Sequence, residues 1–540
     1  MANNFLVILF ILFFVIASIV ITWITSRSNT SSKDFFIAGS KVPWIQVGIA
    51  MVGSYLSAAS FLGCAGDIGV FGIDSIWLSI GFFGGYMAVL LLIAGPLRNV
   101  GSYTVADALH CRFPDDRIKL IVMISTLIIS TFYLVPQMLG AGLLFEMLLG
   151  WNFIAVTVSV GVLMSIYIIF GGMKSTLYNQ VLQALFLWIA MLLITIMAFF
   201  IFGKGSINEV LAVAHRAVPP MIAGKSPEVV KAIQGLTASE AIVTARQMMP
   251  NAENIMTIGV KTNNTIAQIS TVIALVFGTA GLPHILIMFY TVRNGRAARK
   301  SVTLCIVALG IFYLCAIALG FLLIPSIYPQ LCSWIAEGPK GVGLAKNMAV
   351  LDISLRVGGP CLMAFSAAAA VAAILSTSAG LMITCASTIS HDLYKIYINR
   401  NATEKQEMVI AKITTLLMST VAVLLAILLK KENVAWLVTL GFGIAASAIF
   451  PAMMANLWWR RATRQGIIAS MITGLVVSVF FIILLLSGVM SFIGLPTSGG
   501  PGIFGVSSAI IVLVAVSLLT KDCGKDVDDF MFKAHHHKHD

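Results

Sequence analysis

The stretch Gly53-Ser-Tyr-Leu-Ser-Ala-Ala-Ser-Phe-Leu-Gly-Cys-Ala-Gly66 decides the fold of this chain, because it sets glycines and hydroxyl side chains in the middle of a long apolar run. A second stretch, Phe277-Gly-Thr-Ala-Gly-Leu-Pro-His284, has the same character. One such stretch by itself favours a close-packing helix surface. A pair at matching places predicts interrupted helices, since irregular backbone at membrane depth must be packed in protein or line a cavity.

The composition requires a membrane. Of the 540 residues, 59% are hydrophobic and only 10% are charged, whereas a soluble domain carries about 25% charged residues. The net charge of +12 comes from basic residues in short loops between apolar runs, which does not indicate a nucleic-acid surface. We therefore expect an all-α integral membrane protein.

A membrane-spanning helix needs about 20 apolar residues, and on that rule the sequence predicts about thirteen spans. Most of the 34 Lys and Arg residues fall in the cytoplasmic loops if the N-terminus lies outside and the C-terminus inside. We expect a multi-pass protein of the cell (inner) membrane. The predicted spans are 5–25, 44–70, 76–97, 120–149, 153–170, 177–203, 265–290, 302–324, 354–388, 409–429, 433–457, 466–488 and 504–520.

The two interrupted stretches lie in the second and seventh predicted spans, which predicts two five-helix repeats of opposite orientation. Interrupted helices at corresponding places of such inverted repeats are typical of secondary transporters, and they mark the binding site. The expected organisation is a leading helix and cytoplasmic loop at 1–43, a first repeat at 44–203, an extracytoplasmic loop at 204–264, a second repeat at 265–458, two further spans at 459–520 and a cytoplasmic tail at 521–540.

The ninth span carries adjacent hydroxyls at Ser376 and Thr377. Such hydroxyls commonly bond a carbonyl of their own helix. Beside a broken second span they would instead complete a cage of neutral oxygens, which suits a sodium ion. The spans carry no Asp or Glu near their middle, which favours sodium over protons as the coupling ion. His284 is expected to be a hydrogen-bonded structural histidine; the alternative is a proton carrier.

Other functions lack their motifs. The sequence has no nucleophile–base set, no metal-ligand cluster and no phosphate-binding loop, so we expect no enzyme, no cofactor and no metal other than sodium. The eight cysteines are expected to be small core residues. A transporter-like sensor subunit is the alternative, but the tail after residue 520 is too short for a catalytic domain.

Several of these stretches also resemble a known family. Over nearly its whole length the chain is similar to the sodium:solute symporters, most closely to their acetate (monocarboxylate) permease branch. That resemblance implies a LeuT-like fold of two inverted five-helix repeats with an extra leading helix. The similar stretches are 34–39, 55–63, 132–133, 137–138, 278–285, 297–301 and 390–394.

The resemblance also implies functional residues. Those of the sodium site are the backbone carbonyls of Gly53, Leu56 and Ala373 and the hydroxyls of Ser376 and Thr377. The candidates for the substrate site, placed beside the two breaks, are Ser57, Ser60, Tyr133, Gln137, Gly278 and Thr279, of which Tyr133 corresponds to a cavity-lining aromatic residue of the family.

The expected substrate is a small monocarboxylate such as acetate, propionate or pyruvate, held at the half-helix N-terminus near Pro283. Two departures count against acetate itself: Ser54 stands where the branch usually has Asp, and Met288 stands where many members have Arg. Amino acids and sugars remain alternatives. The other expected partner is the lipid bilayer, and the family leaves room for a small membrane accessory subunit; no nucleic acid is expected.

Overall fold

The computed structural model describes residues 2–27, 31–261, 264–430, 434–487, 502–524 and 526–536. Within these ranges the chain is helical throughout and has no β-strand, which confirms the predicted all-α class. The limits predicted at residues 433 and 488, and the tail after residue 536, lie outside the described residues.

The first part of the chain begins with a leading helix and ends with a long helix at Ile201. Its α-helices are α1 (Ala2–Ser26), α2 (Ser32–Ile37), α3 (Trp44–Tyr55), α4 (Cys64–Phe71), α5 (Ile76–Ala88), α6 (Ala94–Val100), α7 (Val105–Arg112), α8 (Asp116–Leu149) and α9 (Phe153–Ile201). Two π-helical turns, Ala59–Gly63 and Val89–Ile93, precede α4 and α6.

The loop between the repeats folds as a cap of four short helices. They are α10 (Ile207–Arg216), α11 (Pro220–Ala223), α12 (Pro227–Ile233) and α13 (Ala238–Met248). The cap is tied to the bundle by the Tyr328 hydroxyl, which donates to the Val218 carbonyl at 2.8 Å, and by the Ile73 N–H, which donates to the Ile255 carbonyl at 2.9 Å. Lys261 and Lys346 both pair with the buried carboxylate of Asp67.

The second half repeats the pattern of one broken and several long helices. Its α-helices are α14 (Thr265–Gly281), α15 (Pro283–Leu286), α16 (Gly295–Ala336), α17 (Pro339–Ser387), α18 (Glu404–Leu428), α19 (Val434–Ala448), α20 (Phe450–Trp458), α21 (Arg464–Leu486), α22 (Gly502–Leu519) and α23 (Val527–His535). A 3₁₀ turn at Ile287–Thr291 follows α15, and a π-helical segment at Thr388–Ile398 continues α17.

The number of spans differs from the sequence prediction. The described residues contain 11 helices long and apolar enough to cross a membrane, or 12 when the bent pair Ser32–Ser40 and Trp44–Tyr55 is one span. The expected count of about thirteen is therefore not confirmed. Part of the difference lies in α9, whose 49 residues contain two predicted spans, 153–170 and 177–203, with a non-helical residue between them at Gly172, where φ is 58° and ψ is −161°.

Close packing of small residues brings α3, α9 and α17 together. The run Ala367–Ala373 of α17 is fully or almost fully buried, and a Cβ atom on Gly53 would collide with the carbonyl oxygen of Gln180 in α9. Small residues let helix backbones approach closely where no hydrophobic effect drives association. This approach places the middle of α17 directly against the end of α3.

Arg112 fixes the end of the bundle on which the C-terminal helix packs. Its side chain is fully buried, and its guanidinium donates to six backbone carbonyls, those of Cys523, Ala455, Asn456, Trp459, Arg460 and Ala462. Several of these carbonyls lie at the end of α20, where the helix dipole favours a cation. Burial lowers the pKa of Arg112 to about 10, so the group stays charged at neutral pH.

Candidate sodium and substrate site

The predicted break in the second span is confirmed. Helix α3 ends at Tyr55, and Leu56 has an extended backbone with φ −70° and ψ 99°. The chain re-enters a helix after Ser57, whose carbonyl accepts the N–H groups of Ser60 and Phe61, each at 3.0 Å. A helix that ends here leaves the carbonyls of its last turn without their usual helical donors.

The middle of α17 faces this break. The Thr377 hydroxyl donates to the Ser54 carbonyl at 3.0 Å, across 323 residues of sequence. The Ser376 hydroxyl is fully buried and has no hydrogen-bond partner among the described residues. It lies 3.2 Å from the position that a Cβ of Gly53 would occupy. The structure therefore brings Gly53, Ser376 and Thr377 together around the end of α3.

The two remaining sodium candidates belong to the same two elements. Ala373 is fully buried one turn before Ser376 and Thr377 on α17, and Leu56 is fully buried at the break itself. Residues three and four apart share one helix face. The five candidates therefore belong to two elements, the end of α3 and the middle of α17, which contact each other at Ser54 and Thr377.

Two residues at this junction were missed from the sequence. The Gln180 amide donates to the Ser376 carbonyl at 3.3 Å, and its own oxygen has no partner in the described chain. A Cβ on Gly380 would lie 2.9 Å from the Ser54 hydroxyl, 3.3 Å from the Gln180 amide nitrogen and 3.5 Å from the His284 ring. Three helices, α3, α9 and α15, therefore converge on the face of α17 that Gly380 leaves without a side chain. The two glutamines of a largely apolar span, Gln180 and Gln183, could have indicated Gln180 from the sequence.

The predicted break in the seventh span is also confirmed. Helix α14 ends at Gly281, Leu282 is extended with φ −71° and ψ 115°, and α15 begins at Pro283. Proline imposes this, since it disfavours the helical conformation of the residue before it and has no N–H of its own.

The half-helix N-terminus that is expected to hold a carboxylate begins a very short helix. Helix α15 has only 4 residues, and the N–H groups of Ile285 and Leu286 both donate to the Leu282 carbonyl. Pro283 has no N–H to offer. The expectation of several free N–H groups at this helix end is therefore wrong, because the tight turn after Leu282 uses them.

A single contact joins the two breaks. The Tyr55 hydroxyl lies 2.8 Å from the Thr279 hydroxyl and 2.9 Å from the Phe82 carbonyl, and the Thr279 hydroxyl donates to the Leu275 carbonyl at 2.7 Å. Rings of Phe82 and Phe442 pack around Tyr55, with the Phe82 ring 5.9 Å from that of Tyr55. The last residue of α3 is thus anchored to the last turn of α14.

The other substrate candidates are buried near these breaks, and each has different neighbouring side chains. Ser57 lies in the first break, and the Ser60 hydroxyl is 3.2 Å from that of Tyr313. The Tyr133 ring lies 5.6 Å from that of His284. Gln137 is 1% exposed, and both of its amide atoms lack a partner among the described residues.

Gly278 has a packing role that the sequence did not suggest. A Cβ on this residue would collide with the carbonyl of Phe442 in α19, so the absent side chain makes room for a neighbouring helix and not for a solute. A narrow cleft does reach the first break, where Ala58, Ala59, Leu62 and Gly63 line it. None of the six substrate candidates lines that cleft.

His284 is not the hydrogen-bonded histidine that we expected. The side chain is fully buried, and neither ring nitrogen has a hydrogen-bond partner in the described parts of the chain. Met288 is also buried, on the 3₁₀ turn after α15. His284 therefore offers unused donor and acceptor capacity close to Tyr133 and the face of Gly380.

Two helices that are broken at matching places and joined at their breaks are typical of secondary transporters. Residues 35–474 match the family model described as the sodium:solute symporter family, and the chain belongs to that family. It is a multi-pass membrane transporter and not an enzyme, and sodium is its coupling ion.

Among the proteins similar to this chain are a bacterial symporter and a solved sodium-coupled transporter. The uncharacterized symporter YwcA of Bacillus subtilis (strain 168) is 36% identical over 471 residues, which cover 86% of this chain and 84% of YwcA. A Na⁺-coupled sialic acid symporter, solved in a substrate-bound outward-open state, superposes with a TM-score of 0.70 at 16% identity, covering 96% of this chain and 98% of that one. The second likeness shows a shared LeuT-like fold. Neither confirms the acetate branch.

The contact between Tyr55 and Thr279 predicts energetic coupling between the breaks. In a double-mutant cycle on unfolding free energy in detergent micelles, Tyr55→Phe and Thr279→Val should show a coupling of about 1 kcal/mol. The control pair is Tyr55→Phe with Thr271→Val, because the Thr271 hydroxyl donates to the Ala267 carbonyl of its own helix. Equal coupling in both pairs would contradict a specific link.

Proposed function

We propose that this symporter imports a small monocarboxylate together with sodium, and that sodium is held by Gly53, Leu56, Ala373, Ser376 and Thr377. The observation that carries the sodium site is the hydrogen bond from the Thr377 hydroxyl to the Ser54 carbonyl at 3.0 Å. It supports the proposal because it sets a hydroxyl of α17 against a carbonyl freed by the break, next to an unpartnered hydroxyl at Ser376.

The same arrangement gives a route to coupling. An ion shared by α3 and α17 favours the conformation in which these helices touch, and its departure removes that bias. A ligand shifts a conformational equilibrium only by its differential affinity for the two states. Gln180, which donates to the Ser376 carbonyl, would orient this wall of the site without carrying charge.

Replacing the two hydroxyls tests the sodium site. The double variant Ser376→Ala and Thr377→Val should raise the sodium concentration for half-maximal uptake severalfold, or abolish uptake, in proteoliposomes. The matched control is Ser366→Ala on the same helix, because the Ser366 hydroxyl is buried but donates to the Leu362 carbonyl of its own helix. An unchanged sodium dependence in the double variant would contradict the site.

The proposed substrate position lies between Gln137, Tyr133 and His284. The unpartnered Gln137 amide and His284 ring supply N–H donors for a carboxylate without a buried Lys or Arg. The rings of Tyr133 and Phe442, 5.3 Å apart, supply an apolar wall for a short carbon chain. Ser57 and Ser60 belong to the neighbouring break, whereas Gly278 and Thr279 act by positioning α14 against α19 and Tyr55.

Competition and one substitution test the substrate class. Unlabelled acetate, propionate and pyruvate should compete for sodium-driven uptake of a labelled monocarboxylate, whereas acetamide and propionamide should not. Gln137→Glu should abolish uptake of the acid, because a second carboxylate would face that of the substrate. If amides, amino acids or sugars compete as well as the acids, the site recognises another class of small solute.

We further propose an inner (cell) membrane location with the N-terminus outside and the C-terminus in the cytoplasm. Arg293, before α16, and Arg296, Arg299 and Lys300, in its first turns, support this orientation, since basic residues concentrate at the cytoplasmic ends of membrane-spanning helices. The capped loop at 204–264 would then face outward.

Cysteine labelling tests the orientation. In a background without native cysteines, which is needed because Cys111 and Cys361 are exposed, an impermeant reagent added outside intact cells should label Lys225→Cys in the cap. It should not label Arg296→Cys, although both positions are exposed on the protein. The reversed pattern would contradict the proposed orientation.

A further inference from the structure

Three side chains that can bind metals meet at the end of the bundle near Arg112. They are Asp107 of α7 and His391 and Asp392 of the π-helical segment that continues α17. One ligand atom from each lies within 4.8 Å of the others. The site is far from the sodium candidates along α17, since Asp392 comes about four helical turns after Thr377.

Asp107 is held in a fixed orientation. One carboxylate oxygen, Oδ2, accepts the N–H groups of Tyr103 at 2.9 Å and Thr104 at 3.2 Å, and the other is 3.0 Å from the Lys119 ammonium. The same Oδ2 lies 3.8 Å from Nε2 of His391, beyond hydrogen-bond distance. Two ligands of one tetrahedral ion at about 2.0 Å each are about 3.3 Å apart, so a small closure brings these atoms into a shared coordination sphere.

Asp392 is the member of the cluster whose burial the surrounding residues do not explain. It is 1% exposed, its Oδ1 accepts the Thr104 hydroxyl at 3.1 Å, and its Oδ2 has no partner among the described residues. Burying a carboxylate oxygen without a partner is costly. Lys119 balances one of the two carboxylates, and the nearby Lys395 is already paired with Glu407 at 2.6 Å.

We propose that Asp107, His391 and Asp392 bind a divalent first-row transition-metal ion. The ion supplies the positive charge that Asp392 lacks, and the imidazole nitrogen favours such ions over Mg²⁺ and Ca²⁺, which prefer oxygen ligands. Tyr103, Thr104 and Lys119 form the hydrogen bonds that orient the carboxylate ligands, as is usual around metal sites.

The proposed metal site lies close to the second helix break. Asp392 and Thr104 line a narrow, tightly packed cleft that extends to Pro283 and Ile287 at the second break. An ion bound by both elements ties α7 to the end of the α17 segment beside this cleft. Widening the cleft then requires the ion to leave, so bound metal should slow transport whatever the transported solute is.

Metal binding is measured on the full-length protein with the tail histidines at 535, 536, 537 and 539 replaced by Asn, because they would also bind metal. In this background Zn²⁺ titration should show one site, and Co²⁺ should give visible d–d absorption. Asp392→Asn and His391→Gln should each weaken Zn²⁺ binding at least tenfold. His110→Gln is the control, because His110 faces Asp116 at 3.7 Å and lies outside the cluster.

Correct folding of the variants is checked by their sodium-driven uptake without metal. Zn²⁺ should inhibit uptake by the unsubstituted background and not by Asp392→Asn. The proposal is overturned if Zn²⁺ affinity is the same in Asp392→Asn and His391→Gln as in the background, or if Mg²⁺ competes with Zn²⁺ at equal concentration. It is also overturned if no site is detected in the background, which would leave a proton as the partner of Asp392.

Discussion

The hydrogen bond from Thr377 to the Ser54 carbonyl is the contact on which the centre of this structure depends. A helix that stops inside a bilayer leaves backbone carbonyls that water cannot reach, and each must find a partner in the protein. Helix α17 supplies hydroxyls at that depth, and small residues such as Gly53 allow it to come close enough. The break, the close packing and the oxygen-lined site are therefore one arrangement.

The two breaks form one unit, although 224 residues separate Tyr55 from Thr279. Tyr55 carries its hydroxyl from the end of α3 to the last turn of α14, and aromatic rings enclose it. Because this contact links α3 to α14, a movement at one break is transmitted to the other.

Unused hydrogen-bonding capacity remains at three buried side chains, Gln137, His284 and Ser376. Buried polar groups normally have hydrogen-bond partners. The proposed sodium and substrate positions use this capacity.

The sequence predicted the breaks because glycine, proline and hydroxyls in an apolar run carry a local physical meaning. It did not predict partners that come from distant helices: Gln180 meets Ser376 across 196 residues, and Arg112 meets carbonyls 343 to 411 residues away. The span count differed in part because α9 contains two predicted spans, with the non-helical Gly172 between them. The packing role of Gly278 likewise depends on Phe442, which only the fold brings near.

Charge is distributed along this molecule in a way that suits ion release as well as ion binding. The carboxylates lie toward the ends, with Asp67 paired to two lysines under the cap and Asp107 and Asp392 near Arg112, whereas the centre offers neutral oxygens. A carboxylate at the centre would bind sodium more strongly, but it would also remain as an uncompensated buried charge when the ion left. Hydroxyls and carbonyls avoid that penalty, because Thr377 can return to Ser54 in the absence of the ion. A neutral site therefore empties at lower cost, which a transporter requires in every cycle.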